Sequence, residues 1–151
     1  MSNFFQFESD FVESLRCIPM QVRLKLDTCG IKLKLNQWNK FTTEQRQKLV
    51  EYPCITPGEI ANYRQFLQDL ILECTGSAAS ELPIESNPAW LNAANIPDSV
   101  QAKTQELQVN LTLHQWELLT PLQRFALIKL SKSGHENNNF LPALKEFKLL
   151  S

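Results

Sequence analysis

The chain is poor in the residues from which small active sites are usually built. Its 151 residues include two histidines, four glycines and four cysteines. No Gly-rich phosphate loop, GxSxG elbow or HExxH motif occurs, which removes the common sequence signs of nucleotide chemistry, acyl transfer and zinc proteolysis. Cys17, Cys29, Cys54 and Cys74 never approach CxxC spacing, and neither histidine lies three or four positions from a cysteine. Zinc-ligand and iron–sulfur patterns are therefore missing, and free buried thiols in a reducing compartment are the expectation. No helix-length segment pairs carboxylates for hydrolysis or proton transfer. "LDTCGIKLKL" offers one Asp before a Gly but no further carboxylates, so it cannot be a calcium loop. No cofactor and no catalytic residue is expected. The net charge of −1 lacks the basic excess of a usual nucleic-acid binder. No apolar run approaches the ~18 residues of a membrane span. "MSNFFQFESDF" lacks the basic-then-apolar order of a signal peptide, so a cytoplasmic location is expected.

What the chain does have is an ordinary globular composition, 43% hydrophobic and 21% charged, at a length suited to one compact domain. Its charge is unevenly spread. Arg16 to Lys48 holds eight basic residues against two acids, whereas Glu51 to Glu106 holds eight acids against two basic residues. Such polarity can orient a protein against a charged partner, although two solvated faces are the plainer explanation.

The chain also repeats itself. Shifted by 78 positions, "IPMQVRLKLDTCGIKLKLNQWNKFTTEQRQKLVEY" lies without a gap over "IPDSVQAKTQELQVNLTLHQWELLTPLQRFALIKL", with 12 of 35 positions identical. This reads as a duplication: repeat one over 18–75, a linker over 76–95 and repeat two over 96–150, all within a single domain over 1–151. In each copy Pro19 or Pro97 opens a helix. A brief apolar/polar alternation follows ("IKLKL" or "VNLTL"), then a short helix carrying Trp38 or Trp116. "TTEQ" and "TPLQ" are capping boxes that start the next helix. Thr56, Pro57 and Glu59 cap a longer helix with one apolar stripe, Ile60, Tyr63, Phe66, Leu67, Leu70, Ile71 and Cys74, ended by Gly76. The fold expected is all-α, two tandem helical repeats related by a pseudo-twofold and sharing a core. The short strands are candidates for a two-stranded β pairing between the repeats, since strands this brief need a partner.

Few residues stand out as a site. Trp38 and Trp116 read as matched core anchors. Arg46 and Arg124 read as structural hydrogen-bond donors to the facing repeat. His114 stands where repeat one has Asn36, which excludes a shared catalytic role. In "SGHENNNF", Gly134 suits a helix end and Asn139 suits a cap before Phe140. This stretch falls on the "ITPGE" start of the long helix in repeat one, so it holds a structural post with different chemistry. His135, Glu136, Asn137 and Asn138 are therefore candidates for partner contact. Lys32 and Lys34 join them from the basic stretch, and Trp90 from the linker.

Separated motifs run in order from "FQFESDFVESLRCIPMQVRLKLDTCGIKLKLNQW" through "YPCITPGEIANYRQFLQ" and "LPIESNPAW" to "LTPLQRFALIKLSKSGHENNNFLPALKEF". Together, from Phe5 to Phe147, they resemble the nitrate reductase-associated protein family of cyanobacteria and some other bacteria. That resemblance implies a small cytoplasmic accessory protein needed for assimilatory nitrate reductase to become or remain active, not one that reduces nitrate itself. The partner it implies is a molybdopterin and iron–sulfur enzyme. The resemblance carries no catalytic residues onto this chain. A helical nucleic-acid-binding regulator of nitrogen assimilation is the alternative. It is disfavoured because the 121–130 helix offers only Arg124 and Lys129 as basic residues.

Overall fold

The computed structural model describes residues 4–8, 17–132 and 139–150. Among these, eight α-helices and one two-stranded sheet account for the regular structure, with 3₁₀ turns at Gln6–Glu8 and Ala89–Leu91. The chain divides into two compact units, one of Met1–Phe4 and Glu8–Glu85, the other of Phe5–Phe7 and Ser86–Ser151. The division at 85/86 falls inside the expected linker. Gly134, His135, Glu136, Asn137 and Asn138 lie outside the described residues.

In the first unit, α1 (Met20–Cys29) begins after Pro19, which carries no capping side chain. The buried Glu8 supplies the missing acceptor, its Oε2 taking the Met20 N–H at 3.1 Å. Gly30 ends the helix at φ 77°, a left-handed conformation that suits glycine. A side chain there would also lie 2.7 Å from the Ile84 Cγ1 and 3.0 Å from the Leu82 carbonyl. The short helix α2 (Leu35–Trp38) follows, then α3 (Thr43–Glu51) and α4 (Pro57–Thr75). Thr42 with Gln45 and Thr56 with Glu59 form the two capping boxes that the sequence announces. Gly76 closes α4 at φ 75°. Trp38, Leu49, Tyr63, Leu67 and Ile71 of these helices are buried together with Val22 and Ile31, and Ile60, Phe66 and Cys74 of the α4 stripe pack against them.

The C-terminus of α3 shows how local chemistry ties these helices together. The Leu49 carbonyl would normally receive the N–H four residues on, but that residue is Pro53, which has none. The buried Tyr63 hydroxyl donates to it instead at 2.7 Å. The Val50 carbonyl accepts from Lys25 Nζ at 2.6 Å and Gln21 Nε2 at 3.3 Å, and Lys25 Nζ also donates to the Tyr52 carbonyl at 2.6 Å. Side chains of α1 and α4 thus finish a helix that proline leaves open.

The sheet corrects one expectation. β1 (Ile31–Lys32) pairs antiparallel with β2 (Ser80–Glu81), inside the linker and not in repeat two. Arg64 fixes this choice, its Nη1 donating to the Cys29 carbonyl at 2.5 Å while Nη2 meets Glu81 at 2.6 Å. The Leu82 N–H also reaches the Gly30 carbonyl at 2.8 Å. In the "VNLTL" segment the Val109 N–H turns back to the Thr104 carbonyl at 2.8 Å.

The second unit holds α5 (Asp98–Glu106), α6 (Leu113–Leu118), α7 (Pro121–Lys132) and α8 (Phe140–Glu146). The starts of α5, α6 and α7 fall 78 positions after those of α1, α2 and α3 (Met20 and Asp98, Leu35 and Leu113, Thr43 and Pro121). Gln108, at Gly30 plus 78, likewise has a positive φ of 59°. Trp116 is buried and its indole donates to the Asn92 carbonyl at 3.1 Å. Phe5, Phe7 and Phe147 form a ring cluster with centroids 5.1–6.2 Å apart. Asn139 precedes α8 but makes no side-chain capping bond. Its own backbone is helical (φ −97°, ψ −5°) and not in the extended geometry a cap needs, which corrects that expectation.

Candidate partner-contact surface

Lys32 and Lys34 alternate with the buried Ile31 and Leu33, so the extended segment after Gly30 turns both lysines to the outer face. Leu35 follows and is 50% exposed. Among the described residues no carboxylate pairs with Lys32, Lys34 or the exposed Lys40. Lys34 also holds the N-cap of α2. Its ammonium chain can only donate, so it offers the first turn no acceptor. The Gln37 N–H bonds the Lys34 backbone carbonyl at 3.0 Å instead, and only the return half of a box survives, Gln37 Oε1 accepting the Lys34 N–H at 2.9 Å. At the equivalent place in the second unit, Thr112 and Gln115 make both halves, at 3.1 and 3.0 Å. The pairing of Lys34 with Thr112 in front of "LNQW" and "LHQW" is a sequence signal that the reading above passed over.

The remaining candidates sit elsewhere. Trp90 is half-buried, its ring edge-on to Phe125 at 5.1 Å, and its carbonyl accepts Arg124 Nε at 2.8 Å. It belongs to the second unit, away in sequence from the lysines of the first. Arg124 is only 6% exposed and also donates to the carbonyls of Leu119 at 2.7 Å and Trp116 at 3.3 Å. Burial lowers its pKa. Arg46 makes the matching bond to Phe41, the residue equivalent to Leu119, at 3.2 Å. The Arg124 bonds to Trp90, Trp116 and Leu119 stay within its own unit, where a link to the facing repeat was expected, and the Arg46 Nε bond runs back to Phe41. The short chain back to the preceding helix end puts those acceptors within reach. Arg124 is thereby removed as a nucleic-acid contact.

The two buried thiols, Cys29 and Cys54, are chemically quiet. Burial pushes Cys29 up to about 11 and Cys54 up to about 12, with the neighbouring thiol adding to the Cys54 shift. Burial also holds the Lys25 ammonium below its ordinary value, with Cys54 opposing. All four cysteines are free. Among the described residues no group of three or more His, Cys, Asp or Glu could hold a metal ion, and no helix is long and apolar enough to cross a membrane.

The profile of a family described as conserved nitrate reductase-associated protein matches residues 4–147. The chain belongs to that family. No curated protein and no solved structure matches it. Membership of the nitrate reductase-associated family links the chain to nitrate reductase and fits an accessory role. The buried Trp38 and Trp116 and the capped helix starts serve the scaffold.

Proposed function

We propose that the chain is a non-catalytic accessory protein that acts in the cytoplasm by direct contact with nitrate reductase, supporting its maturation, cofactor assembly or stabilisation. The observation that carries this reading is the family match across residues 4–147. Lys32 and Lys34 supply the contact on the first unit. His135, Glu136, Asn137, Asn138 and Trp90 are the further candidates for it. The same proposal takes the scaffold as a tandem duplication with a pseudo-twofold. Its support is the common 78-residue register of three helix starts and the positive φ shared by Gly30 and Gln108.

Deleting the gene and comparing growth on nitrate with growth on ammonium tests the role. Failure on nitrate alone is the expected result, and equal growth on both would overturn the proposal. Mixing the purified protein with inactive reductase then separates the modes. Activation without lasting association marks a maturation factor, and co-elution marks a stabilising subunit.

A further inference from the structure

Lys34 is the wrong residue for the post it holds. Thr42, Thr56, Thr112 and Thr120 each place a hydroxyl at a helix start, and each accepts a first-turn N–H at 3.1–3.2 Å. α2 alone of these five starts has a cation there, although α6 shows that the same "L-x-Q-W" helix takes a threonine cap. A side chain that cannot accept a hydrogen bond, placed at the positive end of a helix, weakens the start of that helix. Departures of this kind from local consistency concentrate where function is served.

The surroundings say what function. Lys32, Lys34 and Lys40, which pair with no carboxylate among the described residues, are replaced in the second unit by Asn110, Thr112 and Leu118, whereas the exposed leucine is kept: Leu35 at 50% and Leu113 at 44%. Exposed cations that meet no carboxylate among the described residues leave their charge available to an outside anion. A half-exposed leucine between them and the next exposed residues adds an apolar centre of the kind that anchors interfaces within a polar rim.

We infer that Lys32 and Lys34 with Leu35 form the docking strip of the first unit for an acidic segment of nitrate reductase, one that sets an apolar side chain on Leu35. This rests on the accessory reading above. Lys34 is held at the α2 cap for recognition at the expense of the cap. The equivalent strip of the second unit, capped by Thr112, does not take that segment.

The test is Lys34→Thr, measured twice. Its thermal midpoint should rise, because the first turn gains a hydroxyl acceptor, while its affinity for purified nitrate reductase should fall several-fold. Lys32→Glu with Lys34→Glu should weaken binding by roughly tenfold or more at low salt and flatten its salt dependence. Leu35→Ser should weaken binding with the salt dependence retained. Wild-type binding that is unchanged in all three variants and insensitive to salt overturns the strip and leaves the accessory reading standing. A Lys34→Thr midpoint below that of the wild type overturns the claim that the cap is forgone. Absence of any wild-type binding to the reductase overturns both readings.

Discussion

Replacing Tyr63 by Phe removes one oxygen and should reveal how α3 is closed. The Tyr63 hydroxyl is the donor to the Leu49 carbonyl at 2.7 Å, and both residues are buried. Because Pro53 has no N–H, nothing in the backbone can take over. The variant keeps the ring and its packing, including the Lys25 ammonium 5.6 Å from the ring centroid. What remains is a buried acceptor without a donor, which costs about 1–3 kcal/mol. For a chain of this length that corresponds to roughly 2–4 °C of Tm per kcal/mol. Urea unfolding at neutral pH, followed by tryptophan fluorescence, measures it. A loss below about 0.5 kcal/mol, the floor for a net hydrogen bond, would refute the reasoning. A pH series adds a second reading. Burial raises the Tyr63 pKa well above its ordinary value, with the Cys29 and Cys54 thiols adding to the shift. The folded phenol thus keeps its proton where the unfolded one loses it. This contribution is complete below about pH 10 and is lost as pH rises beyond it. Tyr63→Phe should therefore show a shallower alkaline decline than the wild type. The Cys29 and Cys54 contributions, complete below their unfolded value near pH 8.5 and lost as pH rises beyond it, are common to both proteins.

Gly30→Ala should destabilise by at least about 1–2 kcal/mol, the penalty of a left-handed L-residue, with the 3.0 Å approach to the Leu82 carbonyl adding to it. Gln108→Gly is the mirror case and should stabilise by up to about 1 kcal/mol, since it relieves the same conformation. Thermal melts that moved both variants in one direction would contradict this account. With a thiol-reactive chromophore at pH 8, the half-exposed Cys17 and Cys74 should react first, while Cys29 and Cys54 wait for unfolding. Four equal rates would show that the two buried thiols are open to solvent.

The features that were legible in the sequence are those whose cause lies within one helical turn. A Thr followed three positions later by Gln or Glu fixes a start at Thr42, Thr56 and Thr120, and glycine fixes the ends at Gly30 and Gly76, because the partners are adjacent in the chain. The α4 stripe was equally plain, since 3/4 spacing is itself the geometry of the buried face. What escaped depends on partners far along the chain. The choice of Ser80–Glu81 over "VNLTL" as strand partner turns on Arg64, which lies on a different helix from either strand. The capping of α1 by Glu8 crosses 12 positions and has no periodic signature. The Arg124 partners were misplaced for a different reason: a repeated residue invited a link between repeats, whereas its guanidinium bonds the helix end just behind it at Leu119 and reaches back to the Trp90 carbonyl. At the candidate surface, Lys32 and Lys34 were legible as charge and the missing cap at Lys34 could be read against Thr112, but the exposure of Leu35 could not. That exposure depends on which side of a four-residue helix faces outward.

The closing of α3 by its neighbours has a consequence for motion. Its last carbonyls are answered from α1 by Lys25 and Gln21 and from α4 by Tyr63, so α3 cannot fray without breaking bonds that belong to two other helices. Local opening and opening of the three-helix set become one event. Amide protons along the second half of α3 then exchange with the same protection as those of central α4, and a polar nine-residue helix with little stability of its own inherits the lifetime of the core.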